Sequence, residues 1–424
     1  MARTRPQAPD GPARRIVVVH PSPDVYGSDL QLVESVAGLV AHGWLPEVVL
    51  PADGPLRALL EEHGAGVRIR DFPVLRRALL RPRALARLVA GSPATVWRLR
   101  GELRRSGAAA VYVNTLTIPL WLVAARAAGL PVMCHSHEAE LVARPLQLAL
   151  TAPLLLADRV VANSEATRAV LTTTVPRLAP RVVVVPNGIP DAGPPAPLRR
   201  RRAGDELRLA LVSRLSPRKG IHVAVDAVAR LRHQGRPVTL DICGSTFPGY
   251  EWYEREVRAQ VQDSGLAGAV TFHGYVSPTR PLLDDADAVL VPSFGESFGN
   301  VAVEGMLAGR PVVASDVQGL AEVITDGRSG VLVEPGSAEQ LAGAVAALAD
   351  DPERAARLAR EGRQEATTRF GVDPYRARIA ELASQVAGRD HRQDENPQRR
   401  PGRPLSVDRA RPGAGSGASR PSRR

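Results

Sequence analysis

The chain has 424 residues, 44% apolar, 23% charged and 4% aromatic, the balance of a soluble globular protein with two or three domains whose cores rest on Val, Leu and Ala. Two cysteines, Cys134 and Cys243, exclude a disulfide framework and suit a reducing cytosol. The net charge of +11 invites a polyanion partner, but ten arginines against four acids in residues 389–424 supply more than half of it, so the folded part carries no specific nucleic-acid signature.

In chain order, residues 1–14 read as a flexible N-terminus; the apolar run that follows, Ile16–Val19, is too short for a signal-peptide core. Arg15–His20 is predicted as a buried strand. A helix follows over Ser28–Ala41, with Leu32, Val33, Val36, Leu39 and Val40 at helical spacing. Ser28 and Gln31 fit a capping box at its start. Further strands are predicted at Glu47–Leu50, Val67–Arg70, Ala110–Val113, Val132–Cys134, Arg159–Ala162 and Arg181–Val185. The weakly charged stretch Pro145–Ala157 holds two prolines and falls short of the roughly 20 residues that span a bilayer.

Residues 187–206, dense in Pro, Gly and Arg, read as an interdomain linker. Strand–helix alternation restarts at Leu207–Ser213 and continues through Val238–Cys243, Val270–His273, Ala288–Val291, Pro311–Ala314 and Val331–Val333. The expected organisation is therefore α/β, with two doubly wound Rossmann-like domains at 15–186 and 207–372 facing a central cleft. A helix over 373–388 is expected to pack back on the first domain. Residues 389–424, rich in Pro, Gly, Ser and Arg, read as a disordered basic tail. In such folds ligands bind beyond the carboxyl ends of the strands, and the residues that carry chemistry fall there.

Among 55 basic residues Lys219 is the sole lysine, in the string Ser213-Arg214-Leu-Ser-Pro-Arg-Lys219-Gly220. A compact ammonium among phosphate oxygens is not replaced by arginine without loss, which gives the exception meaning. Arg218 beside it reads as an ordinary surface arginine. Downstream, Gly295-Glu296-Ser297-Phe298-Gly299-Asn300-Val-Ala-Val-Glu304 runs from a strand end through a glycine-containing loop into a helix. Free backbone N–H groups at that helix start can bind an anion, and Gly299 permits close approach. Glu296 can accept hydrogen bonds from sugar hydroxyls, and Glu304, one turn into the helix, from a ribose diol.

Two glutamates separated by seven residues, in the setting Pro-Ser-x-x-Glu-Ser-Phe-Gly-Asn, resemble the E-x7-E signature of retaining family 4 glycosyltransferases with the GT-B fold. The resemblance extends over residues 15–386. It implies a nucleoside diphosphate sugar as donor, no cofactor and no metal. It further implies that Glu296 meets the donor sugar, that Glu304 meets the ribose, and that Arg214 and Lys219 neutralise the diphosphate. Ser297, Phe298, Gly299 and Asn300 would line the donor side of the same loop. Asp24-Val-Tyr-Gly27-Ser28-Asp29 is similar to the family's glycine-rich loop, which implies that Gly27 lies near the phosphates; a purely structural turn is the alternative. Pro131-Val-Met-Cys-His135-Ser-His137-Glu138 matches the place of a family histidine over the donor sugar, and His137 fits it better than His135. At Gln318-Gly319 the family usually carries two glycines.

Transfer to an acceptor hydroxyl, with the incoming oxygen attacking from the leaving group's own face, is the chemistry this resemblance implies. Acceptors of this class are glycans, lipid-linked sugars or small molecules, in glycan, glycolipid or cell-envelope polysaccharide biosynthesis. The segment Val74–Arg105, with nine arginines and one acid, reads either as a solvated helix or as a surface that docks on anionic membrane, which would place the protein peripherally on the inner face of the cell membrane. Asp285-Ala-Asp287 mimics a metal-binding Asp-x-Asp but stands at a helix-to-strand turn. The rival readings are a GT-B sugar-nucleotide epimerase or phosphorylase, and a non-catalytic relative that binds polyanions.

Overall fold

The computed structural model describes residues 14–75, 82–139, 142–200, 204–247 and 249–388; residues 1–13 of the expected flexible N-terminus 1–14 and the basic tail 389–424 lie outside them, and Arg14 opens the first strand. The first domain runs β1 (Arg14–Val19), α1 (Gly27–Ala41), β2 (Trp44–Leu50), α2 (Pro55–Glu62), β3 (Gly66–Ile69), α3 (Pro82–Ser106), β4 (Ala110–Val113), α4 (Pro119–Ala128), β5 (Val132–Ser136), α5 (Arg144–Thr151), β6 (Arg159–Ala162), α6 (Glu165–Thr174) and β7 (Val182–Val184). The second runs β8 (Leu207–Val212), α7 (Ile221–His233), β9 (Val238–Cys243), α8 (Glu251–Asp263), β10 (Val270–Gly274), α9 (Arg280–Asp285), β11 (Ala288–Val291), α10 (Asn300–Leu307), β12 (Val312–Ser315), α11 (Gln318–Val323), β13 (Val331–Val333), α12 (Ala338–Asp350) and α13 (Pro352–Arg369), and the chain ends on α14 (Val372–Ala387).

All pairings are parallel, in the orders β3-β2-β1-β4-β5-β6-β7 and β10-β9-β8-β11-β12-β13. β1 shows why its sequence is uniformly apolar. Val17 and Val19 enter the core layer on one face of the sheet, Ile16 and Val18 the layer on the other. A strand covered on both sides has no polar face to show. In each sheet the strand order reverses beside the first strand, between β1 and β4 and between β8 and β11, and these two switch points face one cleft.

α14 crosses back. Tyr375, Ile379, Leu382, Ala383 and Val386 recur on one helical face and join the first domain's core beside Leu32, Val36 and Leu39 of α1. Gly38 makes the crossing close, since a Cβ there would stand 2.7 Å from the Arg376 Cα. The preceding linker lies along the second domain. Arg280 and the buried Arg310 donate to its carbonyls at Pro194 (2.9 Å) and Ala196 (2.6 Å), and Arg363 pairs with Asp191 at 2.8 Å.

One local reading is revised. The first helix begins at Gly27, not Ser28, and Asp29 rather than Gln31 accepts the free N–H of Tyr26, at 2.9 Å. Gln31 is buried instead. Asp287 closes its turn by accepting from the Arg208 N–H (2.8 Å) and from Arg199, a structural use of the Asp-x-Asp string. Of the arginine-rich segment, residues 76–81 lie outside the described residues; in its helical part the one acid, Glu102, is buried against Arg70, and Trp97 is 73% exposed.

Candidate active site

Both switch points open into a cavity of about 740 Å³. On the second-domain wall the chain leaves β8 and makes a short turn that ends at Gly220, at φ +66°. A Cβ at Gly220 would lie 1.9 Å from the Pro292 carbonyl oxygen, so only glycine lets this turn press against the end of β11. That contact brings the sole lysine to the first glutamate of the pair. Lys219 Nζ donates to both carboxylate oxygens of Glu296, at 2.6 and 2.8 Å, and both side chains are largely shielded from solvent. Arg218, expected as a surface arginine, has an exposed side chain yet braces the same loop: its Nη1 donates to the Gly295 carbonyl at 3.1 Å, and its own carbonyl accepts the Phe294 N–H at 2.8 Å.

Gly299, at φ +113°, turns the loop into α10, and Glu304 sits one turn along it. Burial raises the Glu304 acid to about 7, partly offset by Thr279, whose hydroxyl donates to it at 3.3 Å. Phe298 plays a different part from its neighbours. Its ring packs edge-on against Phe370 in the core, so it presents backbone rather than side chain to the cleft. The Ser297 hydroxyl accepts from Asn163 Nδ2 (3.3 Å), and Asn300 Nδ2 donates to the Gly27 carbonyl (3.3 Å), both across the cleft.

Where two glycines are usual, Gln318 holds a positive φ of +35°. Its side chain exploits the position. Oε1 accepts the Glu296 N–H at 3.0 Å, and Nε2 donates to the Ala139 carbonyl on the opposite domain at 3.0 Å. Gly319 remains obligatory, because a Cβ there would come within 2.4 Å of the Ser297 carbonyl oxygen.

The first-domain wall carries a buried polar chain. His20, at the end of β1, meets the Asp29 carboxylate through Nε2 at 2.7 Å and Asn114, at the end of β4, through Nδ1 at 3.0 Å. Asn114 Oδ1 faces His137 Nε2 at 3.0 Å and accepts from the Tyr112 hydroxyl at 3.2 Å. Burial, reinforced by nearby His20, pushes the His137 ring down to about 3, so it is neutral at physiological pH. Asp29 also faces Arg214 across the cleft at 3.8 Å, and the Arg214 guanidinium stacks 3.6 Å above the Tyr26 ring centroid. Burial lowers the Arg214 pKa from its ordinary value while Asp29 opposes the shift. His135 turns the other way, fully buried with Nδ1 on the Tyr112 hydroxyl at 2.8 Å, and Glu138 accepts from Thr115 and Ser136. Among the described residues no three potential ligands are grouped to hold a metal ion.

His137, Arg214, Lys219, Glu296 and Glu304 thus line one cavity with Gly27 and the residues from Ser297 to Asn300. The sequence did not single out His20 or Asn114, and it marked Gln318 only as a departure from two glycines. The signal available for those two was a polar residue placed directly after a buried strand, Val17–Val19 for His20 and Ala110–Val113 for Asn114.

Two parallel doubly wound domains facing each other across such a cleft, with the last helix returned to the first, define the GT-B architecture. Residues 27–192 match the Glycosyltransferase Family 4 model and residues 199–365 the Glycosyl transferases group 1 model. The chain belongs to the family 4 glycosyltransferases. It is 29% identical to the D-inositol 3-phosphate glycosyltransferase of Rhodococcus erythropolis over 399 residues, covering 83% of this chain and 87% of that one. It is 38% identical to the glycogen synthase of Mycobacterium tuberculosis over 191 residues, so the match spans less than half of either chain, 45% of each. HepE of Anabaena, solved with UDP-glucose, superposes with a TM-score of 0.73 at 26% identity, over 88% of this chain and 99% of that one. No helix among the described residues is long and apolar enough to cross a membrane.

Proposed function

We propose that this protein transfers a sugar from a nucleoside diphosphate sugar to an acceptor hydroxyl with retention of anomeric configuration. The observation that carries the reading is the Lys219–Glu296 pair, held in the cavity at the start of α7 with Arg214 on the neighbouring wall. The diphosphate is a dianion, and two cations in a shielded cleft stabilise the charge that grows on it as the glycosidic bond breaks. When the diphosphate arrives, Lys219 can share its protons between phosphate and Glu296, which leaves Glu296 oxygen free to accept from sugar hydroxyls. Glu304 accepts from the ribose diol. The acceptor oxygen enters from the first-domain side, on the face the diphosphate is leaving, and a donor phosphate oxygen takes its proton. No side-chain nucleophile is needed on this route.

HepE, a relative solved with UDP-glucose, makes a uridine diphosphate sugar the first donor to try. The acceptor is a glycan, lipid-linked sugar or small molecule. Exposed Trp97 on arginine-rich α3 supports a peripheral stay on anionic membrane, and co-sedimentation with anionic liposomes checks it. The test of the main reading is a panel of nucleoside diphosphate sugars with candidate acceptors, the product anomer being read by NMR. Transfer with retention is expected. Inversion would contradict the same-face route, and conversion of the donor with no acceptor present would favour an epimerase.

A further inference from the structure

The buried chain on the first-domain wall has one consistent placement of protons while His20 is neutral. An ionised carboxylate can only accept, so Asp29 Oδ1, 2.7 Å from His20 Nε2, requires the His20 proton on Nε2. His20 Nδ1 is then a lone pair, and the Asn114 group facing it at 3.0 Å must be the amide NH2. That orientation turns Asn114 Oδ1 towards His137 Nε2 at 3.0 Å and the Tyr112 hydroxyl at 3.2 Å, so both donate to it. His137 therefore carries its proton on Nε2. Its Nδ1 is then a buried lone pair without a hydrogen-bond partner in the structure. His20, Asp29 and Asn114 are 1–2% exposed, so water does not compete for these contacts.

We propose that Asp29, His20 and Asn114 are positioning residues that hold the cavity-lining His137 ring as the tautomer protonated at Nε2. The expected effect on turnover rests on the glycosyltransferase reading above; the tautomer itself does not. A neutral ring has a consequence for the chemistry. An imidazolium beside a sugar acquiring positive charge at its anomeric carbon would oppose bond breaking, whereas a neutral acceptor does not. The same Asp29 faces Arg214 of the other domain at 3.8 Å, so one carboxylate orients groups on both sides of the donor.

The test uses the full chain labelled with 15N-histidine, its nine histidine rings read by long-range 1H–15N correlation near pH 7 and His137 assigned by its loss in His137→Gln. The expected pattern is that of a neutral ring with the proton on Nε2. A ring protonated on Nδ1, which a doubly protonated His20 and a reversed Asn114 amide would produce, overturns the proposal, as does an imidazolium. His20→Gln, whose amide can donate to Asp29 and accept from Asn114, is expected to keep the pattern, while His20→Phe gives a mixture of tautomers. With UDP-glucose as probe, His20→Phe is expected to lower kcat on the order of tenfold to a hundredfold with the KM for donor within about twofold, and His20→Gln to recover most of the loss. A KM effect with unchanged kcat, or equal losses in the two variants, assigns His20 a merely structural part. If UDP-glucose is neither bound nor turned over by the unaltered protein, the donor reading fails while the tautomer result stands on its own.

Discussion

The two walls of the cleft are built by different means. On the second domain, Glu296 and Glu304 lie on one loop and the helix it feeds, and Arg214 and Lys219 lie on one turn. Short spacings in the chain hold the parts together. On the first domain, His20, Asp29, Asn114 and His137 come from the ends of β1, β4 and β5 and from α1, and only the strand order brings them within hydrogen-bonding distance. The second-domain wall presents cations and carboxylates, the first-domain wall a chain of amide and imidazole that ends on one carboxylate. A local wall keeps its parts through moderate drift of the fold; an assembled wall depends on register. One wall is thus built by a motif and the other by a network.

The largest expected effects fall on the local wall. Glu296→Gln and Lys219→Ala should each lower turnover on the order of a hundredfold or more, since each removes charge aimed at the reacting centre. Arg218→Ala, which removes a donor from the Gly295 carbonyl but leaves the Lys219–Glu296 pair in place, should cost less than about tenfold. Equal losses in steady-state assays of the three variants would erase the distinction between gripping and bracing.

A middle-sized effect probes the bridge between the walls. Gln318→Gly relieves a positive φ and should leave stability to urea unchanged or improved by up to about 1 kcal/mol. It also removes the link from the Glu296 N–H to the Ala139 carbonyl, so turnover should drop by about tenfold even though the protein is no less stable. Loss of stability in step with turnover would make Gln318 a packing residue only.

The smallest effect is a pH dependence. On the proposed reading Glu304, pushed up to about 7 by burial, must ionise before it can accept from both ribose hydroxyls. Donor affinity should therefore rise as pH rises through about 7 and then level off. The unliganded protein responds in the opposite sense. A carboxyl whose folded pKa exceeds its unfolded value of 4.5 takes up a proton on folding, so stability is full at low pH and declines as pH climbs through about 7. Glu304→Gln should flatten both profiles, read by donor titration and by thermal melts at matched pH.

The same contrast explains what the sequence made legible. The alternation of Val-rich runs with helical spacings determines the two parallel sheets, because buried parallel strands admit no other pattern. The donor loop was legible because its spacing is local. The start of α1 was misread because Ser28 and Gln31 satisfy the usual cap spacing, whereas Asp29 is drawn to the Tyr26 N–H while already engaged with His20. His20 and Asn114, 94 positions apart, could not be paired without knowing that β1 lies beside β4. Gln318 was noted only as a departure from two glycines; its bridging role needs both domains in place.

Lys219 offers the most direct test of the claim that this cleft grips a diphosphate. It is the only lysine, so an amine-directed reagent has one side chain to find, and mass spectrometry can follow its modification over time. The account predicts that saturating UDP-glucose, or whichever nucleoside diphosphate sugar stabilises the protein most in the panel, slows that modification by tenfold or so, and that the free sugar does not. An unchanged rate at Lys219 with the nucleotide sugar demonstrably bound would contradict it.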